Sequence, residues 1–184
     1  MEASALKFRT KDLAYIALFA ALMAICAWIA IPTPWNVAYT LQTMAVFLAV
    51  GVLGGKRGTL AVLVYILLGA VGLPVFSSFN SGLGYLMGAT GGYIVGFLFS
   101  ALVMWALERL WRQRTAVLAL AMVLGLLVCY AFGTAWFMVV YTQTKGAMAL
   151  GTALGMCVVP YVIPDLVKIA LALLLSLRLR RHVD

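Results

Sequence analysis

Charged residues are scarce in this 184-residue chain: Asp, Glu, Lys and Arg together make up 10% of it, whereas hydrophobic residues make up 66%. Soluble domains carry roughly 25% charged and roughly 45–50% apolar residues. A water-soluble fold is therefore excluded, and the chain is predicted to be an all-α integral membrane protein. Acidic residues are rarer still, at 5 against 13 Lys and Arg. The basic residues fall in short clusters between apolar runs, which indicates membrane topology and not nucleic-acid binding.

Cysteine and histidine are too few and too scattered for a metal site or a disulfide framework. Cys26, Cys129 and Cys157 each lie in apolar sequence and form no Cys-x-x-Cys motif, and His182 stands alone in the charged tail. We therefore predict three buried thiols, no metal and no cofactor.

Motifs for nucleotide chemistry are also missing. The glycine-rich stretches at 82–84 and 88–92 follow no predicted strand, and no Gly-Lys-Ser/Thr comes after them, so tight turns and close helix packing are the favoured interpretation. The chain also lacks a convincing nucleophile–base pair, which argues against an intramembrane enzyme. If it moves a solute against a gradient, the energy has to come from another subunit or from an ion.

Six apolar runs, punctuated by Gly, Pro or charged residues, predict six membrane-spanning helices in one membrane domain that covers residues 1–184. The first run follows a basic start, as a signal peptide does, but it is too long and further runs follow it. The second and third runs are short, so a re-entrant hairpin is an alternative for this pair. The predicted helices cover 13–31, 38–53, 59–71, 93–110, 117–141 and 162–179.

Positive charge predicts the orientation of these helices, because Lys and Arg are enriched in cytoplasmic loops. Six spans place four basic clusters and both termini on the cytoplasmic side. Only Lys145 is then left in an outer loop, and Lys168 is left within a span. The four clusters are Lys7, Arg9 and Lys11; Lys56 and Arg57; Arg109, Arg112 and Arg114; and Arg178, Arg180 and Arg181.

The three predicted outer loops, at 32–39, 72–92 and 142–160, are rich in Gly, Pro, Thr, Asn, Ser and aromatic residues. A loop of about 20 residues without secondary structure is uncommon in a compact domain unless it binds or covers something. Irregular backbone is tolerated at membrane depth only against protein or a cavity. We therefore expect a bowl in the outer half of the bilayer that holds a small solute.

Two ionisable residues fall in the last predicted span, where a charge at the bilayer centre costs about 2.5–3.5 kcal/mol on the insertion scale. Pro164 suits the first position of this helix, which puts Asp165 in the first turn, where the helix N-terminus favours a carboxylate. Lys168 follows three residues later on the same face. An acceptor beside a cation matches a ligand with N–H donors next to a carbonyl or carboxylate oxygen. The alternative is a self-satisfied ion pair that fixes the last helix against its neighbours.

Further polar residues at or near the outer loops are candidates to complete a hydrogen-bond set around this pair, and aromatic residues nearby are candidates for apolar walls. An aromatic belt at the membrane interface explains part of the aromatic group equally well. The polar candidates are Thr40, Gln42, Asn80, Tyr85 and Tyr93, and the wall candidates are Trp35, Phe76, Phe79 and Tyr161.

Alanines recur along the first predicted helix. Ala17 with Ala21, and Ala20 with Ala24, form two small-xxx-small pairs, which let another helix approach closely. Docking of a partner helix and packing within the bundle explain this pattern equally well.

Four stretches, in this order and spacing in a basic six-helix chain of this length, resemble the BioY family, the biotin-binding S components of energy-coupling factor (ECF) transporters. The resemblance is dense from about Thr40 to Phe97 and again at 164–168. The four stretches are TLQT at 40–43, GAVGLPVF at 69–76, GGYIVGF at 91–97 and PDLVK at 164–168.

The resemblance implies an S-component fold of six helices without enzymatic activity, in the cell membrane of a prokaryote, with biotin as transported ligand. It implies that Asp165 and Lys168, with Asn80, contact the ureido ring of biotin in an outer pocket. It also implies that the four alanines of the first helix meet a membrane-embedded coupling subunit, which two cytoplasmic ATPases drive. A solitary ion-coupled carrier, with Asp165 as its proton site, is the alternative.

Overall fold

The computed structural model describes residues 9–33, 37–111 and 114–182, and it is mostly helical. Lys7, Trp35 and Arg112, on which parts of the topology and wall predictions rest, lie outside these residues. The helices are α1 (Thr10–Trp28), α2 (Gln42–Leu53), α3 (Gly55–Ala70), α4 (Leu83–Leu86), α5 (Gly91–Leu110), α6 (Thr115–Lys145), α7 (Leu150–Cys157) and α8 (Val159–Leu179); the strands are β1 (Ala30–Ile31) and β2 (Tyr39–Thr40); and 3-10 turns cover Ser77–Phe79 and Arg180–His182.

A short antiparallel ribbon replaces the ends of the first two predicted helices. β1 pairs with β2 in the register that sets Ala30 opposite Thr40. Helix α1 therefore ends at Trp28 and α2 begins only at Gln42, so the predicted helices 13–31 and 38–53 reach too far into this segment. The pairing satisfies backbone groups that a helix end would leave exposed.

Among the described residues, three helices are long and apolar enough to cross a membrane by themselves: α1, α5 and α6. Helices α7 and α8 count as a fourth span if this pair, bent by 42°, is one broken span. Helix α2 has 12 residues and α3 has 16. At 1.5 Å per residue these two are about 18 and about 24 Å long, short of the roughly 30 Å hydrocarbon core. Six complete spans therefore stay a prediction.

Helices α5 and α6 form the most extensive helix pair, and small residues explain how closely they pack. A Cβ atom on Gly92 would lie 2.2 Å from the Cβ of Trp136, and one on Gly96 would lie 3.2 Å from the Sγ of Cys129. Larger side chains at these positions would push the helices apart. This packing stripe consists of Gly92, Gly96 and Ser100 on α5, and Gly125, Cys129 and Gly133 on α6.

Charged residues from four helices or their flanks meet at one end of the bundle. The Arg57 guanidinium donates to Asp12 at 3.0 Å, which joins α3 to α1. The Arg180 guanidinium donates to Glu108 at 2.8 Å, and the backbone N–H of Gly55 also donates to the Glu108 carboxylate. They place these residues at one end of the bundle, and the side of the membrane that this end faces stays a prediction.

The second and third predicted outer loops carry helices or turns. The segment 72–92 contains the Ser77–Phe79 turn and α4, and the segment 142–160 is largely helical, because α6 extends to Lys145 and α7 follows. The expectation of loops without secondary structure is therefore wrong for both. Short helices satisfy the backbone N–H and C=O groups that irregular chain would leave exposed at this depth.

Pro164 lies inside α8 and does not open it, so the prediction that Asp165 occupies the first helical turn is wrong. Since proline has no N–H, the carbonyl of Pro160, four residues earlier, loses its helical partner. The Tyr39 hydroxyl donates to this carbonyl at 3.0 Å. A side chain of the β1–β2 ribbon thus replaces the missing hydrogen bond and lets the helix continue through the proline.

Candidate functional site

A cavity of about 480 Å³ lies where α2, α5 and α8 begin, at the end of the bundle away from the charged contacts. Its size falls within the range of roughly 300–1,000 Å³ typical of small-molecule sites. The lining comes from the loop after α1, the 77–90 segment, and residues of α2, α5, α6, α7 and α8. Ile94, Phe97 and Leu126 provide apolar wall. Apolar walls with a few convergent polar groups are the usual composition of a ligand site.

The seven polar or charged residues predicted to bind the solute, and Tyr161 among the predicted wall residues, all lie in this lining. They come from the ribbon, the segment before α5, and helices α2, α4, α5 and α8, and only the fold brings them together. Their grouping in one bowl agrees with the prediction, whereas their contact with a solute stays a prediction. They are Thr40, Gln42, Asn80, Tyr85, Tyr93, Tyr161, Asp165 and Lys168.

Asp165 and Lys168 are the two charged residues that line the cavity in the described part of the chain. The Lys168 ammonium donates to Asp165 Oδ1 at 2.8 Å, and the two residues are only 9% and 4% exposed, respectively. Both alternatives drawn from the sequence therefore fit the geometry, since the residues pair with each other and also line the cavity. An ammonium carries three donors, so the pair retains donor capacity for a ligand.

Tyr130 on α6 completes the polar cluster, and the sequence analysis did not single it out. Its hydroxyl donates to Asp165 Oδ2 at 2.5 Å, so each carboxylate oxygen accepts one hydrogen bond. A signal for it exists in the sequence, because Tyr130 falls in the middle of the apolar run that becomes α6. An interfacial belt does not explain a tyrosine at mid-span, and a buried phenol usually needs a hydrogen-bond partner.

Thr40 and Gln42 form a hydrogen-bonded chain with Tyr65, a second residue that the sequence analysis missed. The Thr40 hydroxyl donates to Gln42 Oε1 at 3.0 Å, and Gln42 Nε2 donates to the Tyr65 hydroxyl at 2.5 Å. Gln42 is 5% exposed and Tyr65 is 1% exposed. These hydrogen bonds fix the start of α2, where the cavity lining passes from loop to helix.

Asn80 belongs to a tight turn beside the cavity. Its side-chain Nδ2 donates to the Ser77 carbonyl at 2.8 Å, and its own carbonyl accepts from the Phe76 N–H at 3.0 Å. Ser78 and Phe79 have φ of 56° and 61°, in the left-handed region that side chains disfavour. The Asn80 amide thus holds this strained turn, and its remaining acceptor oxygen belongs to a residue that lines the cavity.

Tyr161 connects the first loop to α8. Its hydroxyl donates to the Val37 carbonyl and lies 3.5 Å from the Thr33 hydroxyl. Its ring stacks on Tyr39, with 4.3 Å between ring centroids. The β1–β2 ribbon is therefore held over the cavity by contacts to α8.

Tyr93 and Tyr85 take different positions in the lining. The Tyr93 hydroxyl shares a hydrogen bond of 3.0 Å with the Thr134 hydroxyl, which links α5 to α6. The Tyr85 ring stacks on Phe76, with 5.7 Å between centroids. Tyr93 is therefore anchored through its polar end and Tyr85 through its ring.

Phe76 and Phe79 do not belong to the lining, so the prediction that they form cavity walls is wrong. Phe76 is fully buried, and a Cβ atom on Gly69 would lie 2.0 Å from its ring, so the ring fills the gap that the glycine leaves. Phe79 is 61% exposed and stacks on Trp28 at 5.0 Å, because the positive φ values of the turn direct it away from the cavity.

Across residues 9–33, 37–111 and 114–182, no group of three His, Cys, Asp or Glu side chains could hold a metal ion. Cys26, Cys129 and Cys157 are free and buried, which agrees with the prediction. Cys129 and Cys157 line the cavity as small apolar surface.

The four alanines predicted for partner docking lie on two different faces of α1. Ala20 and Ala24 are 2% and 5% exposed and pack in the core. Ala17 and Ala21 are exposed. Packing within the bundle therefore explains Ala20 and Ala24, whereas docking of a partner helix at the exposed Ala17 and Ala21 stays a prediction.

Comparison with known proteins identifies the family, because the BioY family model matches residues 1–184. The chain belongs to the BioY family. The biotin transporter BioY of Thermotoga maritima is 41% identical over 164 residues, which cover 89% of this chain and 92% of that protein. The probable biotin transporter BioY of Pyrococcus horikoshii is 36% identical, over 94% of this chain and 98% of the relative.

A solved structure supports the same assignment. The crystal structure of the S-component for biotin from an ECF-type ABC transporter superposes with a TM-score of 0.81 at 28% identity, covering 95% of each chain. The resemblance drawn from the four sequence stretches is thus confirmed, as is the prediction that the protein is not an enzyme, because members of the BioY family are transporters. With its apolar helices, this member is a multi-pass membrane protein of the S-component fold.

Proposed function

We propose that this chain is the substrate-capture subunit of an ATP-driven ECF vitamin importer. It binds biotin from the outer face and delivers it together with a membrane coupling subunit and two cytoplasmic ATPases. The observation that carries the proposal is the Asp165–Lys168 pair, buried from lipid and lining a cavity of about 480 Å³. The names of the BioY relatives and of the S-component structure support biotin as the ligand.

The chemistry of biotin suits this pair. The ureido ring presents N–H donors on either side of a carbonyl oxygen, and a valerate chain ends in a carboxylate. Asp165 accepts from a ureido N–H, and Lys168 donates to the ureido carbonyl or, in a reversed pose, to the valerate carboxylate. The Asp165 carboxylate and the Lys168 ammonium can therefore both hydrogen-bond to the ureido ring, and neither buried charge is left unpaired.

The other lining residues complete the proposed site. Asn80 offers its amide oxygen to the ureido ring or to the valerate chain. The remaining proposed contacts shape the cavity through groups that the protein already anchors by hydrogen bonds or ring stacking, which reduces the entropy lost on binding. They are Thr40, Gln42, Tyr85, Tyr93 and Tyr161.

The proposed setting is the plasma membrane of a prokaryote, with one membrane domain over residues 1–184, six membrane-spanning segments and both termini in the cytoplasm. The short helices α2 and α3 then form a pair of spans, and the first of them begins in the cavity lining. The contact between Arg180 and Glu108 supports a common side for the ends of α5 and α8. The basic clusters favour the cytoplasm for that side.

The exposed face of α1 is the proposed docking surface for the coupling subunit. Ala17 and Ala21 lie one turn apart on this face, and their small side chains let a partner helix approach closely. Ala20 and Ala24 contribute indirectly, because they hold α1 against the bundle.

Binding of labelled biotin to the purified chain in detergent, with thiamine and riboflavin as controls, tests the ligand. We expect saturable binding of biotin and none of either control vitamin. Uptake of biotin by cells with and without the coupling subunit and ATPases tests the mechanism. Uptake that follows the proton gradient and persists without the ATPases would establish the ion-coupled alternative in place of the ECF proposal.

A further inference from the structure

Tyr130 supplies a polar contact between α8 and α6, which forms the opposite part of the lining. Asp165 and Lys168 are both on α8, so their mutual bond does not fix where the carboxylate lies relative to α5 and α6. The Tyr130 hydroxyl, on α6, supplies that constraint through its 2.5 Å hydrogen bond to Oδ2. Helix α6 is in turn held to α5 by the glycine-rich stripe.

We propose that Tyr130 is a positioning residue for biotin: its hydroxyl fixes the Asp165 carboxylate so that the oxygens keep their remaining acceptor sites directed into the cavity. Oδ1 takes its bond from Lys168 and Oδ2 takes its bond from Tyr130. A carboxylate oxygen has about two acceptor sites, so each oxygen retains one for a ligand N–H. The inference rests on the proposed function, since it assigns Asp165 to the ligand.

Geometry favours this role over a merely structural one. Tyr130 itself lines the cavity, beside Cys129 and across from α8. A hydrogen bond to an ionised acceptor is about twice as strong as one between neutral groups. Loss of the hydroxyl therefore frees the carboxylate to rotate and to lie closer to Lys168, which withdraws acceptor capacity from the ligand.

Tyr130→Phe removes the hydroxyl and keeps the ring. We expect its affinity for biotin, measured by calorimetry on purified protein, to fall about ten- to a hundredfold, the loss typical of one charge-assisted hydrogen bond. The matched control is Tyr141→Phe on the same helix, because Tyr141 lies outside the cavity lining. The control should bind biotin as the unaltered protein does.

A double-mutant cycle separates action through Asp165 from other effects. In an Asp165→Asn background, Tyr130→Phe should change the affinity by less than about twofold, because the carboxylate that it positions is gone. Full additivity of the two losses would overturn the proposal, since it would mean that Tyr130 acts on the ligand or the fold independently of Asp165.

Infrared spectroscopy gives a readout that a structural role would not move. The carboxylate stretching band that Asp165→Asn removes should shift in Tyr130→Phe and stay in place in Tyr141→Phe. Replacing Tyr130 with 3-fluorotyrosine, which changes the acidity of the hydroxyl but not the shape, should also shift this band, and this measurement stands even if Tyr130→Phe folds poorly. An unshifted band in the fluorotyrosine protein would refute the contact.

Failure of this inference is distinguishable from failure of the proposed function. If the unaltered chain does not bind biotin, or if Asp165→Asn binds it normally, the ligand or the site is misassigned. If the unaltered chain binds biotin and Asp165→Asn binds it more weakly, but Tyr130→Phe binds normally, only the role of Tyr130 is refuted.

Discussion

Three variants of the Asp165–Lys168 pair can measure separately what the pair contributes to the free energy of unfolding and to the affinity for biotin. Lys168→Met removes the positive charge and keeps an unbranched side chain, and Asp165→Asn removes the negative charge at nearly constant shape. Since the two side chains are only 11% and 5% exposed, each single variant leaves a buried charge without its partner. Breaking a buried pair in this way costs about 3–5 kcal/mol. We expect Lys168→Met near the lower end, because Tyr130 still donates to the carboxylate.

The double variant Asp165→Asn with Lys168→Met leaves no buried charge. Its free energy of unfolding should return to within about 1–2 kcal/mol of the unaltered protein, because neutral replacements of a buried pair are often tolerated. Its affinity for biotin should not return. Two hydrogen bonds to charged groups, worth about 1.5–3 kcal/mol each, are absent, which corresponds to a loss of about a hundred- to ten-thousandfold.

Unfolding of the ligand-free protein in detergent gives the free energy of unfolding. Calorimetric titration with biotin gives the affinity. If the double variant regains both stability and biotin affinity, the pair serves only to fix α8, and the assignment of these residues to the ligand is refuted. If Lys168→Met has the same free energy of unfolding as the unaltered protein, the argument that an unpaired buried charge is destabilising fails as well.

Three other predictions follow from the packing and the topology. Gly92→Ala should lower the free energy of unfolding by about 1–3 kcal/mol, because its Cβ would overlap Trp136, whereas Gly151→Ala, with no atom within 4 Å, should not destabilise the protein. Ala21→Trp should keep biotin binding but abolish uptake with the coupling subunit. In intact cells, a membrane-impermeant thiol reagent should label Lys145→Cys but not Arg178→Cys.

Each of these has a result that contradicts it. Equal stability of Gly92→Ala and Gly151→Ala would argue against close packing of α5 on α6. Normal uptake by Ala21→Trp would remove the exposed face of α1 from the proposed interface. Labelling of Arg178→Cys from outside would reverse the proposed orientation. Both variants are made with the three native cysteines replaced by alanine, because Cys129 and Cys157 line the cavity.

Sequence patterns predicted the grouping of the site better than its local geometry. Apolar runs and basic clusters located the main helices, and the cost of a charge within a span singled out Asp165 and Lys168. The prediction for Pro164 failed because a proline is usually read as a helix start. Here a hydroxyl from a distant loop satisfies the carbonyl that the proline leaves without a partner, and no local pattern reveals such a contact.

Tyr130 and the two phenylalanines show a second limit. A single hydroxyl within a long apolar helix does not alter the hydrophobic pattern, so only the depth of Tyr130 in the span pointed to a partner. Phe76 and Phe79 lie in one turn, and the positive φ values at 78 and 79 decide which ring faces the core. Backbone conformations of this kind in non-glycine residues depend on the surrounding fold and not on local propensity.

The hydrogen bond from Tyr39 to Pro160 makes the entrance to the bowl sensitive to its surroundings. If the ribbon lifts, a backbone carbonyl of α8 loses its donor, and an unsatisfied carbonyl in hydrocarbon costs several kcal/mol. A water molecule can replace the Tyr39 hydroxyl as the donor only while the entrance is in contact with water. The entrance should therefore open easily towards an aqueous exterior and resist opening wherever lipid surrounds it.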